Sequence, residues 1–145
     1  MIKINVLLIG LCLSMHHTPV FAEYNSEKIA EGIGAYAMAA DLLENISSSE
    51  CGYIVRGEYS TEKVLKEVLP YLTKEDQEKV NKFFAEEFFE KKSIQNKNDV
   101  ESAILIGRQR GVGLNEICDK INSHATRIYK YGVEQWEYAK KNYSR

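Results

Sequence analysis

Apolar residues recur at three- and four-residue steps along most of this chain, which is the helical period. Ile29, Ile33, Tyr36, Ala40 and Leu43 form one such stripe and predict a first helix. Asn25 or Ser26 can cap its exposed N–H groups, with Glu27 at the positive end of the dipole. Ala30, Gly34 and Ala37 line up beside that stripe as small residues. Glycine inside a helix costs up to about 1 kcal/mol against alanine. Gly32 and Gly34 therefore point to close packing on a neighbour, or to a later helix start. The serine-rich polar run 45–50 ends the element.

The segment 51–57 holds a short β-branched pair between two glycines, and a lone strand has no partner, so it reads as a turn or a short helix. Ser60 caps a helix carrying Val64, Leu65, Val68 and Leu69, which Pro70 breaks or kinks. Thr73 with Asp76 three residues on resembles a capping box. The helix it opens shows Val80, Phe83, Phe84 and Phe88 on one side. Residues 92–98 are polar without hydrophobic spacing and read as a loop, after which Asn98 and Glu101 start a helix with Val100, Ala103, Ile104 and Ile106. Gly107, Gly111 and Gly113 separate it from a long last helix over 114–142. Leu114, Ile117, Ile121, Ile128 and Tyr131 mark the buried face of that helix, with Cys118, Ala125 and Trp136 close by. The expected architecture is all-α, a single-domain helical bundle of about five helices with one disulfide.

Residues 1–22 change the picture of the compartment. Lys3, an apolar run from Val6 to Met15 and a small residue at Ala22 make a secretory signal peptide, too short to stay as a membrane anchor. Cleavage after Ala22 removes Cys12, His16 and His17 and leaves a single domain, 23–145. That domain keeps 18 basic side chains against 21 acidic ones, too weak a positive field for a nucleic-acid binder. The expected location is exported: periplasmic in a Gram-negative bacterium, otherwise secreted. No transmembrane anchor is expected after cleavage.

The remaining cysteines, Cys51 and Cys118, read as one disulfide in an oxidising compartment. A bond across 67 residues removes roughly 4 kcal/mol of unfolded-state freedom in the chain-entropy model. One histidine and two distant cysteines offer no metal-site spacing, and no cofactor motif is present. His124, near the buried face of the last helix, reads as structural, so no catalytic residue is assigned. Glu86, Glu87 and Glu90 are the densest acids, and a hydrolase of glycan or peptide would have to use them. Lys82, Lys91 and Lys92 nearby make a solvated helix face the simpler reading. Arg108 and Arg110 sit on a glycine-flexed segment that lacks the lysine and hydroxyl of a phosphate loop. They are suited to meeting carboxylates of a protein partner. Of the nine tyrosines and one tryptophan, Tyr129, Tyr131, Trp136, Tyr138 and Tyr143 crowd the last helix on more than one face. Exposed Tyr, Trp and Arg anchor interfaces, which makes Arg108, Arg110, Tyr131, Trp136 and Tyr138 the candidate partner-binding residues. Asn45 and Asn142 each open a glycosylation sequon.

The Cys51-Gly52-Tyr53 turn after the first helix, with a second cysteine opening a later one, resembles the periplasmic immunity proteins of type VI secretion systems. That likeness implies a protein that neutralises a toxin, such as a cell-wall amidase, by plugging or covering its active site. The turn here lacks the residue that separates Cys and Gly in the family's pattern, and no binding residue is carried over. The leading expectation is an exported non-enzymatic binding protein, an immunity protein or an inhibitor of a toxin or cell-wall enzyme. The alternatives are a small secreted hydrolase using the helix carboxylates and a periplasmic stress or chaperone-like protein. A homodimer is left open.

Overall fold

The computed structural model describes residues 21–143; the leader predicted over 1–22 lies outside them except for its last two positions. Five α-helices and two single 3-10 turns make up the fold, with no strand among the described residues. Helix α1 is Phe21–Ser47, and a 3-10 turn Gly52–Ile54 follows it. Helix α2 (Thr61–Val68) runs into a 3-10 turn at Leu69–Tyr71 that carries Pro70. Helices α3 (Lys74–Ala85), α4 (Glu87–Gln109) and α5 (Leu114–Asn142) complete the bundle. The all-α expectation therefore holds.

The caps follow local chemistry. Ser60 Oγ accepts from the Lys63 amide, and Thr73 Oγ1 accepts from the Asp76 amide. Asp76 does a second job: the Tyr143 hydroxyl donates to its carboxylate, while the Thr73 amide donates to the Tyr143 oxygen at 3.1 Å. The end of α5 is thereby pinned on the start of α3, across 67 to 70 residues of chain.

Helices α1 and α5 form the central antiparallel pair, and α2 and α4 pack on α1. The pairing runs from Gly32 against Trp136 and Ala139, through Tyr36 against Tyr129, to the Cys51–Cys118 disulfide. The predicted stripe Ile29, Ile33, Tyr36, Ala40 and Leu43 is wholly buried. Close approach falls to Gly32, whereas Gly34 faces open space and Ala30 is exposed. A first core region joins the N-terminal half of α1 to α2, Val80 and Trp136. A second surrounds the disulfide with Leu43, Ile46, Val100, Ile104 and Ile117.

The helix starts expected at Asn25 or Ser26 and at Asn98 fall inside helices, since α1 begins at Phe21 and α4 at Glu87, and three further expectations are corrected. The polar run 92–98 is not a loop but lies within α4, because its inward positions satisfy a buried carboxylate. Asp41 is 4 % exposed and accepts from Ser93 Oγ at 2.6 Å and Asn96 Nδ2 at 2.8 Å, both on α4. Phe88 belongs to α4, since the backbone turns extended at Glu86, and an aromatic cluster of Phe83, Phe84, Phe88 and Phe89 packs that corner. Tyr131 lies outside the buried face of α5, at 57 % exposure.

Candidate functional site

The disulfide holds the end of α1 to the first turns of α5, with Cα atoms 5.2 Å apart and both sulfurs buried. It braces a surface at that end of the bundle. Tyr53, on the 3-10 turn next to Cys51, is 63 % exposed, yet its hydroxyl is fixed by donation to Asn115 at the start of α5. Arg108 closes bidentately on Glu50, the residue before Cys51. A charge-assisted fork of this kind fixes geometry as well as adding attraction. Arg110 sits in the α4–α5 turn, which Gly111 closes at φ 75°, a left-handed backbone that suits glycine. Gly107 lets α4 approach α5 there, because a Cβ on it would lie 2.6 Å from Ile117. Leu105 and Ile106 are exposed on the last turns of α4.

The predicted partner-binding residues do not form one surface. Arg108 and Arg110 belong to the braced end, although Arg108 is committed to Glu50. Tyr131 and Tyr138 are exposed on the far half of α5, Tyr138 with the Lys28 ammonium 5.9 Å over its ring. From Asn115 to Tyr138 the helix rises about 35 Å. Trp136 leaves the set altogether. It is 0 % exposed, with Tyr71 edge-on at 5.9 Å and Gly32 against its backbone, so it is a core residue that offers a partner no surface.

A second feature lies between α1, α2 and α5: an open cleft of about 220 Å³ lined by Tyr36, Tyr59, Tyr129, Glu58, Lys63 and Glu67 among others. Tyr129 stands between the other two rings, 5.6 Å from Tyr36 and 5.0 Å from Tyr59 by centroid. The Tyr36 hydroxyl donates to Glu67 at 2.7 Å, which leaves its oxygen to accept from Tyr129 at 3.4 Å. Burial, and then these two hydrogen bonds, push the Tyr36 phenol well above its usual range. Lys63 is taken up by Glu58, which holds that carboxyl below its usual range. Sequence periodicity did not single out this cleft, because its three rings come from positions 36, 59 and 129, on α1, on the segment before α2 and on α5.

The other candidates fall into place as structure. Glu86, Glu87 and Glu90 are exposed, and Glu87 pairs with Lys91 at 2.8 Å one turn along α4. His124 is half-buried, its Nε2 without a hydrogen-bond partner. Asn45, in the first sequon, spends its amide nitrogen on the Asp41 carbonyl at 2.9 Å. Among the described residues no group of three or more His, Cys, Asp or Glu is placed to hold a metal ion. No described helix is long and apolar enough to cross a membrane.

No family model, curated protein or solved structure matches the chain.

Proposed function

We propose that this chain is an exported, non-enzymatic helical binding protein, an immunity protein or inhibitor that blocks a toxin or cell-wall enzyme. The disulfide-braced end is its contact surface. One observation carries the reading: Tyr53 stands 63 % exposed on a turn locked by Cys51–Cys118, with Arg110 at the same end. Tyr and Arg are the side chains that most often dominate binding energy at protein interfaces. Holding Tyr53 in place before contact lowers the ordering cost of association. The signal-like leader supports an oxidising location, periplasmic in a Gram-negative host, where the disulfide persists.

The test is affinity purification of the full chain from the envelope fraction of its host. Wild type and Tyr138→Ala are expected to retain one stoichiometric protein, which Tyr53→Ala combined with Arg110→Glu releases. Recovery of no stoichiometric partner by wild type sinks the proposal.

A further inference from the structure

We propose that the tyrosine cleft between α1, α2 and α5 is a binding site for an organic cation, an alkylammonium or guanidinium group. The inference stands apart from the inhibitor reading, since a free cation would bind there whether or not a protein partner exists.

Size comes first. At about 220 Å³ the cleft falls below the roughly 300–1,000 Å³ of sites that enclose drug-sized ligands, so it suits one side chain or a small ion. Charge sets the sign. Two carboxylates, Glu58 and Glu67, line it against one ammonium, Lys63, which is already paired with Glu58. An anion would meet Glu67 without a free counter-charge. A cation would find that carboxylate held in place by the Tyr36 hydroxyl at 2.7 Å.

The rings supply the rest. Tyr59 and Tyr129 both line the cleft and meet edge-on at 77°, so their ring planes stand nearly perpendicular. Aromatic faces attract cations within about 6 Å, more strongly when water is displaced. The hydroxyl chain from Tyr129 through Tyr36 to Glu67 orders the polar edge. Tyr36 itself is buried and fixed, which makes the site preformed. Three rings and an oriented carboxylate around a side-chain-sized space are what recognition of an ammonium or guanidinium group requires.

The experiment is an NMR titration of the full mature chain, reading tyrosine ring protons, with n-butylammonium and n-butylguanidinium chloride at low salt. Butanol and butyrate serve as neutral and anionic controls. Saturable shifts at Tyr59 and Tyr129 are expected with the cations alone, with dissociation constants on the order of millimolar. Glu67→Gln should weaken binding about fivefold or more, and Tyr59→Leu likewise, while Tyr59→Phe should retain it. Lys63→Gln should tighten binding, because it removes a competing cation and frees Glu58; a purely structural cluster would not respond that way. A lysine-containing pentapeptide distinguishes the sources. Saturation by free cations and peptide alike assigns the cleft to organic cations generally, and saturation by the free cations without the peptide confines it to small free ones; both support the proposal. Equal shifts with butanol, or no saturation by about 50 mM cation in folded protein, would overturn it.

Discussion

Gly132 of α5 lies so close to the carbonyl oxygen of Ala35 on α1 that a Cβ placed on it would fall 2.8 Å away. Gly32 makes the reciprocal approach, its added Cβ falling 2.9 Å from the Gln135 carbonyl oxygen and from the Ala139 side chain. Two glycines, one per helix, thus set the separation of the central pair, and everything packed on that pair depends on it.

Gly132→Ala is accordingly expected to lower unfolding free energy by about 1–3 kcal/mol, because backbone, rather than a flexible side chain, must move. Gly34→Ala is the contrast. Nothing lies within 4 Å of its added Cβ, so it should stabilise the helix by up to about 1 kcal/mol. Urea unfolding of the two variants should shift the midpoint in opposite directions.

Reduction of Cys51–Cys118, or replacement of both cysteines by alanine, should cost about 2–5 kcal/mol and lower Tm. The loss should be visible as a lower urea midpoint with dithiothreitol than without it. Capture of a partner by the proposed contact surface at Tyr53 should weaken with it, since the turn loses its brace.

Asp41 is buried without a cation and relies on three donors, Ser93, Asn96 and Asn45. Asp41→Ala should therefore cost about 2–4 kcal/mol by leaving Asn96 and Ser93 unpaired against apolar surroundings. Asp41→Asn should cost less, because its carbonyl can face the two asparagines while its amide donates to Ser93. Equal losses in a thermal melt would show that volume, rather than hydrogen bonding, holds α4 to α1.

His124 is held below its ordinary value of about 6.5 by burial first and then by the Arg127 charge. The unfolded chain then binds the proton more readily than the folded one, so its contribution is full above about pH 6.5 and declines as pH falls toward the lowered folded value. His124→Gln should flatten the stability profile between pH 7 and pH 5. An unchanged slope would place that pH dependence on other groups.

Tyr36 works at the opposite end of the scale. Its phenol is raised above the ordinary 10, so its contribution is present below that pH and lost as pH rises past it. Alkaline spectrophotometric titration should find one tyrosine that ionises only as the protein unfolds, and Tyr36→Phe should abolish it.

The legible parts of this molecule are those where one chemistry repeats. The stripe from Ile29 to Leu43, the Ser60 and Thr73 caps and the glycine break before Leu114 can all be read from spacing, because each depends on neighbours within a turn. Helix α4 shows where that legibility stops. Its inward face runs Phe89, Ser93, Asn96, Val100 and Ile104, at helical spacing throughout. The two polar members look like loop residues until Asp41, more than fifty positions away, is seen to need them. Trp136 errs in the other direction: its interface-prone chemistry is spent inside the core against Gly32 and Tyr71.

The sequence by itself determined the all-α class, the caps at Ser60 and Thr73, the pair of cysteines available for a bridge and the weak net charge, since these follow from local periodicity and composition. Only the tertiary structure decided which glycine admits a neighbour, which tyrosines reach solvent, and that Tyr36, Tyr59 and Tyr129 meet over Glu67. Burial and contact are properties of pairs distant in sequence, and no spacing rule within one helix encodes the face that another helix will cover.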